Sequence, residues 1–332
     1  MKALRTHAVG GPDTLTLDEV DAPTPAKGQV VVRVKACAIN FPDTLIIRDM
    51  YQFKPERPFA PGGELSGVIE AVGEGVTDWK AGDRVIASTG NGGLSEMVAV
   101  DQGRLYPLPE GVSFEAGASL LMTYGTTIYA LKGRGDIKPG ETMLVLGAAG
   151  GVGISAIELG KAFGMKVVAG VSSDDKAQFV RDAGADEVVV YGRGPFDKAQ
   201  SKELAGKFKD ACAPGGADIV YDIVGGDYAE PALRSIAWEG RYLVIGFTAG
   251  IPKMPLNLTL LKSCDIRGVF WGAFAAREPQ KNAAFIAELF DLLKAGKINP
   301  RVSETFPLER GAEAIAMLED RKALGKIVVT MG

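Results

Sequence analysis

A run of glycines and alanines near the middle of the chain is the feature that most clearly suggests chemistry. In LGAAGGVGISAIELGKAFG, residues 146–164, a short apolar stretch leads into these small residues and then into a helical pattern. Glycines between a strand and a helix let backbone N–H groups meet a pyrophosphate with no Cβ in the way. We therefore expect Gly150, Gly151, Val152 and Gly153 to bind a dinucleotide. The sequence AAGGVG is not a strict GxGxxG, and a tight turn without a ligand is the alternative.

The residues after the next predicted strand indicate which dinucleotide is bound. An NAD site usually has an Asp or Glu at this strand end, where it accepts a hydrogen bond from the ribose 2′-hydroxyl. Here the strand ends in Ser172 and Ser173, followed by Lys176. Hydroxyls and an ammonium group suit a 2′-phosphate, so we expect NADP(H) rather than NAD. The alternative is that a serine only caps the helix that begins with Asp174 and Asp175.

The hydrophobic pattern around this turn predicts two kinds of structure. Before about residue 125, short β-branched runs between turn residues predict strands at 30–39, 66–73, 83–88 and 95–100. After it, apolar strands at 142–147, 166–171, 187–191, 218–224 and 241–246 alternate with helices at 152–163, 174–183 and 227–237. Nearly continuous apolar strands between helices are typical of a parallel sheet covered on both faces. The closing stretch FPLERGAEAIAMLEDRKALGKIVVT predicts a helix and a strand that can rejoin the first unit.

Length, charge and cysteines restrict the class of protein. A chain of 332 residues usually forms two domains. A formal net charge of −4, with neither sign in a long run, argues against binding to nucleic acid or an anionic membrane. No stretch has the roughly 20 apolar residues that span a bilayer, and the N-terminus lacks a signal-peptide core, so we expect a cytoplasmic protein. Cys37, Cys212 and Cys264 are isolated, and no disulfide framework is expected.

Several motifs in order give the chain a resemblance to a known family. They include AINFPDTLIIRDMY (38–51), PGGELSGVIEAVGEGV (61–76), GAAGGVG (147–153), GADEVVVY (184–191) and GKIVV (325–329). With them the sequence resembles the medium-chain dehydrogenase/reductase superfamily, in particular its zinc-free NADPH:quinone oxidoreductase branch, the relatives of ζ-crystallin. The resemblance implies an α/β fold with a doubly wound Rossmann domain at 125–297. It also implies a β-rich, partly barrel-like GroES-like domain made of 1–124 and 298–332.

One departure from the zinc-dependent members of the superfamily concerns the metal. Where those relatives have a Cys and a His that bind catalytic zinc, the matching positions here are Asn40 and Gly63. His7 is the single histidine of the chain. A catalytic zinc needs about three Cys, His or carboxylate ligands, so the resemblance implies a zinc-free protein.

The resemblance also implies an acceptor site. Without zinc, the expected reaction is hydride transfer to an electron-poor acceptor, a quinone carbonyl or the β-carbon of an enone. Asn40, Asp43, Arg48 and Tyr51 would line the acceptor cleft, with Asn40 and Thr127 near the nicotinamide. Asn40 and Tyr51 are the expected catalytic residues. Tyr51 either donates a proton to the developing oxyanion or only orients the acceptor.

Further cofactor contacts are implied at scattered positions. Tyr191 closes GADEVVVY, where the family has a tyrosine near the 2′-phosphate. Gly246 and Phe247 follow a predicted strand, and ligands bind at the carboxyl ends of such strands. Arg321 and Lys326 match positions that return basic groups to the cofactor. For each of these residues, packing or surface solvation is the competing interpretation.

Three alternatives remain open at the level of sequence. A 2-enoyl thioester reductase would use Arg48, Lys54 and Arg57 for the phosphates of coenzyme A, and an enone or alkenal reductase would share the same chemistry. A non-catalytic NADPH-binding protein is the third alternative. The segment LKSCDIRGVFWG (261–272) is apolar and β-like. The resemblance implies that this edge pairs with its copy in a second subunit, because an exposed unpaired strand invites a partner, so we expect a homodimer. The alternative is a buried strand or loop within one subunit.

Overall fold

The computed structural model describes all of residues 1–332, and the chain forms two compact units. The first contains 1–122 and 300–332, and the second contains 123–299. The strands are β1 (Lys2–Thr6), β2 (Leu15–Glu19), β3 (Gln29–Ile39), β4 (Glu64–Val72), β5 (Arg84–Ser88), β6 (Met97–Asp101), β7 (Leu105–Pro107), β8 (Thr142–Leu146), β9 (Lys166–Val171), β10 (Glu187–Val190), β11 (Ala217–Asp222), β12 (Ile236–Val244), β13 (Asp265–Gly268), β14 (Val302–Pro307) and β15 (Lys326–Thr330).

The helices lie mostly in the second unit. They are α1 (Phe41–Ile46), α2 (Phe114–Ala118), α3 (Thr126–Ile128), α4 (Gly151–Ala162), α5 (Asp174–Asp182), α6 (Lys198–Ala211), α7 (Ala229–Arg234), α8 (Asn257–Lys262), α9 (Trp271–Arg277), α10 (Pro279–Lys294) and α11 (Gly311–Glu319). Two π-helical segments, Leu121–Gly125 and Tyr129–Arg134, flank α3. None of the helices is long and apolar enough to cross a membrane.

The first unit is built on a seven-stranded sheet. Its strand order is β14-β15-β3-β4-β5-β7, and β6 pairs with β3 away from this path. The long strand β3 is central because its apolar residues are buried along most of its length. It pairs antiparallel with β15, so residues more than 280 positions apart meet in one sheet, as at Ile39 and Ile327. A separate hairpin joins β1 and β2.

The second unit is a doubly wound parallel sheet. Its order is β10-β9-β8-β11-β12-β13, and every neighbouring pair is parallel. The apolar side chains of β8 from Met143 to Leu146 are fully buried, as expected for a strand covered on both faces. The chain order reverses between β8 and β11, which creates the switch point where such sheets bind ligands. The predicted fold class is confirmed.

Some sequence-based boundaries were wrong. The helix predicted at 227–237 ends at Arg234. The apolar residues after it belong to β12, which begins at Ile236 and contains Glu239, whose φ is +59°. The segment 261–272 holds only a four-residue strand, with the end of one helix before it and the start of another after it. Helices α6 and α10 were not predicted.

Candidate functional site: the glycine turn and the buried Asn40 cluster

The glycine turn between β8 and α4 is shaped by close contacts. Gly147 has a φ of +70°, and a Cβ there would lie 2.9 Å from Cγ2 of Val224. A Cβ on Gly153 would lie 2.5 Å from the carbonyl oxygens of Ala148 and Gly147. These two positions therefore require glycine for packing. This conclusion needs no ligand.

Gly150 lies at the start of α4 and has a different environment. A Cβ on this residue would meet no atom closer than 3.7 Å, so packing alone does not exclude a side chain. Gly150 is the N-cap, and the next three residues, Gly151, Val152 and Gly153, open the helix. Their N–H groups have no partner within the helix, as at every helix start. The open side of Gly150 together with these donors fits a pyrophosphate.

The end of β9 carries the predicted 2′-phosphate residues. Ser173 is the N-cap of α5, with an extended φ of −163°, but its side chain makes no capping hydrogen bond to the backbone. The Ser173 hydroxyl bonds instead to the exposed Asp175 carboxylate and is the main cause of a lowered pKa of Asp175. Ser172 and Lys176 are partly exposed beside it. This geometry is compatible with both interpretations of these residues, as the start of a helix and as a site for the 2′-phosphate.

Tyr191 lies underneath the glycine turn. Its hydroxyl accepts a hydrogen bond of 3.0 Å from the Gly147 N–H, and the residue is 5% exposed. Its ring packs against Tyr228 and edge-on to Phe208. Tyr191 directly follows β10 and therefore links the end of that strand to the glycine turn. This structural link is separate from any contact with a phosphate.

Gly246 and Phe247 follow β12 at the same edge of the sheet. The Gly246 N–H lies 3.3 Å from the Asp222 carbonyl oxygen, and Phe247 is 44% exposed. An exposed aromatic side chain at the carboxyl edge of the sheet is available to a ligand.

Thr127 is fully buried in a network of hydroxyl groups. Its hydroxyl lies 2.8 Å from the Thr123 carbonyl oxygen, 2.7 Å from the Ser155 hydroxyl and 2.8 Å from the Tyr221 hydroxyl. A threonine hydroxyl has one proton and two lone pairs, so these three partners use its full capacity. The hydroxyl ties the segment around α3 to α4 and β11. A contact between this hydroxyl and the nicotinamide would require one of these bonds to break.

Asn40 occupies the centre of a polar cluster in the first unit. It is the N-cap of α1 and is 6% exposed. Its side-chain Nδ2 donates to Glu64 Oε2 at 3.0 Å and to the Ala38 carbonyl oxygen at 3.2 Å. Its Oδ1 accepts from Lys326 Nζ at 2.6 Å. Both amide hydrogens are committed, so Asn40 has no spare donor for an oxyanion.

Three charged side chains complete this cluster. Asp43 accepts hydrogen bonds from the N–H groups of Asn40 and Gly62 at 2.8 and 2.9 Å. Lys326 Nζ lies 3.6 Å from Glu64, and both residues are buried. Burial raises the pKa of Asp43 to about 6, raises the pKa of Glu64 and lowers the pKa of Lys326. Lys326, predicted to contact the cofactor, thus has its ammonium group bound to Asn40. Glu64 was not singled out from sequence.

Tyr51 lies partly buried against the core of the first unit. Burial and, to a smaller degree, the charge of Asp43 raise the pKa of its phenol. Arg48 donates to the Thr44 carbonyl oxygen and pairs with Glu319 at 2.9 Å, which is a structural arrangement. Arg321 is exposed in the turn after α11.

The side chains at these positions do not fit a catalytic zinc. No group of three or more His, Cys, Asp and Glu side chains is placed to hold a metal ion. Glu64 is bonded to Asn40 and to the Met122 N–H, and it faces Lys326. The Cys37 thiol is fully buried, and burial raises its pKa well above the ordinary value.

Comparisons with known proteins agree with this architecture. Residues 26–110 match the family described as "Alcohol dehydrogenase GroES-like domain", and residues 151–288 match "Zinc-binding dehydrogenase". Quinone oxidoreductase-like protein 2 of Bos taurus is 37% identical over 319 residues, which are 96% of this chain and 89% of the relative.

Two solved structures are also similar. The Escherichia coli quinone oxidoreductase complexed with NADPH is 30% identical with a TM-score of 0.86, over 99% of this chain and 100% of the other. A mycobacterial protein complexed with NADPH is 31% identical with a TM-score of 0.91, over 99% and 100%. The chain belongs to the quinone oxidoreductase branch of the medium-chain dehydrogenase/reductase superfamily.

Proposed function

We propose that this protein is a zinc-independent, NADPH-dependent reductase that transfers a hydride to a quinone or a similar electron-poor conjugated carbonyl. The observation that carries the proposal is the turn at the start of α4, where Gly150 has an open side next to unpaired helix N–H groups at the switch point of the sheet. The solved relatives complexed with NADPH support the choice of cofactor. The names of the relatives support the choice of acceptor.

The residues of the second unit would hold the cofactor by its anionic groups. Gly150, Gly151, Val152 and Gly153 would meet the pyrophosphate with backbone N–H groups. A second set of residues would surround the 2′-phosphate, and it consists of Ser172, Ser173 and Lys176. For Ser173 to donate to that phosphate, it must release Asp175. Bound NADPH supplies the hydride.

In the first unit, Tyr51 is the residue we propose to contact the acceptor. Its phenol is protonated at neutral pH, so it can donate a hydrogen bond to the oxygen on which negative charge develops. Asn40 would act as a positioning residue, because Glu64 and Lys326 already use its amide group.

The decisive experiment compares acceptors. The initial rate of NADPH oxidation would be measured with a small quinone and with a short 2-enoyl-CoA at matched concentrations, using metal-stripped protein. A clear preference for the quinone supports the proposal. Preference for the thioester assigns the chain to the enoyl reductases, and Tyr51→Phe then tests the proton donor. Binding of NADPH with no oxidation by either acceptor would leave a non-catalytic cofactor-binding protein.

The partners of the basic residues near the predicted acceptor site, Arg48, Lys54 and Arg57, weigh against a thioester of coenzyme A as the substrate. Arg48 is paired with Glu319, and Arg57 pairs with Asp49 at 2.7 Å. Two of the three candidate phosphate ligands therefore already have carboxylate partners. A coenzyme A site here would have to break both pairs.

A pair of glycine variants tests the cofactor site separately. Gly153→Ala places a Cβ 2.5 Å from backbone carbonyl oxygens, so it must deform the turn. We expect its affinity for NADPH to fall at least tenfold, measured by calorimetry. Gly206→Ala in α6, where a Cβ meets nothing within 4 Å, is the matched control and should retain the wild-type affinity. Equal affinities in the two variants would contradict the proposed site.

We also propose a homodimer formed along β13. This strand is at the edge of the parallel sheet, and its neighbourhood exposes apolar side chains, namely Ile251, Leu256, Leu260, Leu261 and Phe270. An exposed edge next to apolar surface is a typical interface. Sedimentation equilibrium should show a dimer that Leu260→Glu dissociates and that Leu17→Glu, on β2, leaves intact. A monomeric wild type would contradict this assembly.

A further inference from the structure

A buried carboxylate ends the strand β11, next to the glycine turn. Asp222 is 1% exposed and is the last residue of the strand that pairs with β8 on one side and β12 on the other. It lies at the switch point of the sheet. None of the residues assigned above to the cofactor explains why a carboxylate is buried here.

The Asp222 carboxylate accepts hydrogen bonds from two backbone N–H groups and from one phenol. Asp222 Oδ1 accepts from the N–H groups of Val224 and Gly225 at 2.8 and 2.9 Å. Its Oδ2 accepts from the hydroxyl of Tyr242, on the neighbouring strand β12, at 2.6 Å. Tyr242 is 1% exposed. Burial is the main cause of a raised pKa at both side chains.

The loop held by Asp222 lies directly against the glycine turn. This loop consists of residues 223–226, and the Cγ2 of Val224 fills the space in which a Cβ of Gly147 would lie. The φ angles of Gly225 and Gly226 are +66° and +52°, so the loop has a conformation that other residues rarely adopt. The Asp222 carboxylate fixes this conformation by accepting hydrogen bonds from two N–H groups of the loop.

The same loop also fixes the segment that follows β12. The Ala249 N–H donates to the Val224 carbonyl oxygen at 2.7 Å, and the Gly226 N–H donates to the Gly250 carbonyl oxygen at 2.7 Å. This second segment carries the exposed Phe247. One carboxylate therefore supports the loop that borders the glycine turn and, through that loop, the segment that follows β12.

We infer that Asp222 and Tyr242 are positioning residues for the cofactor site: together they set the loop 223–226 and, through Val224, the shape of the turn at Gly147. The inference rests on the proposed function, because it concerns the binding of NADPH. Neither side chain contacts the cofactor in this scheme. The pair acts through the backbone that it holds.

The test measures NADPH affinity by calorimetry on the full-length protein, without turnover. Asp222→Ala removes the acceptor of two buried N–H groups, and we expect the Kd for NADPH to rise about tenfold or more. Tyr242→Phe leaves the loop bonds in place but removes the phenol that orients the carboxylate, so we expect a smaller rise of about threefold. In steady-state assays the KM for NADPH should rise more than kcat falls.

A second phenol–carboxylate pair in the same unit provides a matched control. Tyr124 donates to Glu158 at 2.7 Å, and the two residues are 1% and 6% exposed. Glu158 also accepts a backbone N–H, that of Asn299, at 2.8 Å. Tyr124→Phe thus removes the same kind of bond away from the loop. It should lower the unfolding temperature about as much as Tyr242→Phe and leave the Kd for NADPH unchanged.

The possible outcomes separate the two proposals. If the wild-type protein does not bind NADPH, the proposed function fails and this inference falls with it. If the wild type binds and folded Asp222→Ala binds equally well, only the inference is overturned. Equal loss of affinity in Tyr124→Phe and Tyr242→Phe would also overturn it, since the effect would then be general destabilisation. Should Asp222→Ala not fold, the Tyr242→Phe and Tyr124→Phe comparison decides.

Discussion

The two units bury polar side chains in different ways. The first unit surrounds Asn40 with the charged groups of Asp43, Glu64 and Lys326. The second unit surrounds Thr127 with hydroxyls and a carbonyl oxygen, none of which carries a charge at neutral pH. Both networks are buried. Only the first can gain or lose a proton near neutral pH.

This difference has a physical consequence. A buried hydroxyl network needs only geometry, because its groups stay neutral and pair with one another. A buried charged cluster needs balance as well, since two carboxylates and one ammonium leave an excess negative charge. Burial is the main cause of the raised pKa of Asp43, and the charge of Glu64 adds to it. The first network should therefore respond strongly to charge and pH, and the second should respond weakly.

The largest effect is expected for Lys326→Met. This change leaves two carboxylates buried without a cation, which typically costs about 3 to 5 kcal/mol of unfolding free energy. Urea denaturation measures the loss. The control Lys161→Met removes a partly exposed ammonium that pairs with Asp186 at 2.7 Å, and it should cost about 1 kcal/mol or less. Equal losses would contradict the idea that the Asn40 cluster depends on its cation.

An intermediate effect is expected from pH. The pKa of Asp43 is about 6 in the folded protein against 3.8 ordinarily, so the folded state binds more protons than the unfolded chain in that interval. This contribution to stability is complete below about pH 4 and is lost as the pH rises through 6, and it amounts to about 2 to 3 kcal/mol. The raised pKa of Glu64 acts with the same sign.

Carbon NMR can test this titration directly. The Asp43 carboxyl resonance should titrate with a midpoint near pH 6. The slope of unfolding free energy against pH between about 4.5 and 7 should flatten in Asp43→Asn. A midpoint near 4 would show that burial does not shift the titration of Asp43, and would contradict the prediction.

The smallest effect is expected in the hydroxyl network. Tyr221→Phe removes one hydrogen bond to Thr127 and should cost about 1 kcal/mol. The loss should be the same at pH 5 and at pH 8, because no group of this network titrates between them. Chemical denaturation at the two pH values measures it. A loss that varies with pH would remove the contrast between the two units.

Sequence predicted the second unit better than the first. The glycine turn is local: strand, turn and helix follow one another within 142–162, so pattern alone places them. The Asn40 cluster is not local, since Glu64 and Lys326 lie 24 and 286 positions away from Asn40. Nothing in the spacing reveals that the lysine meets the asparagine instead of a phosphate.

One helix that was not predicted does have a recognisable signal in the sequence. Helix α6 begins with a capping box between Asp197 and Gln200, and it buries Leu204 and Phe208 on one side. Both signs are visible in the sequence. The committed bonds of Thr127 and the role of Asp222 were not readable, because each depends on partners brought together only by the sheet.

The pairing of β15 with β3 has a consequence for synthesis on the ribosome. The chain emerges from its N-terminus, so β3 and β4 appear early, with Asp43 and Glu64, while Lys326 emerges about 260 residues after Glu64. Domains usually fold in the order in which they are made. Here the second unit is complete before the sheet of the first unit receives its last strands. The first unit therefore cannot complete its sheet, or bring Lys326 to Asn40 and Glu64, until these last strands have been made.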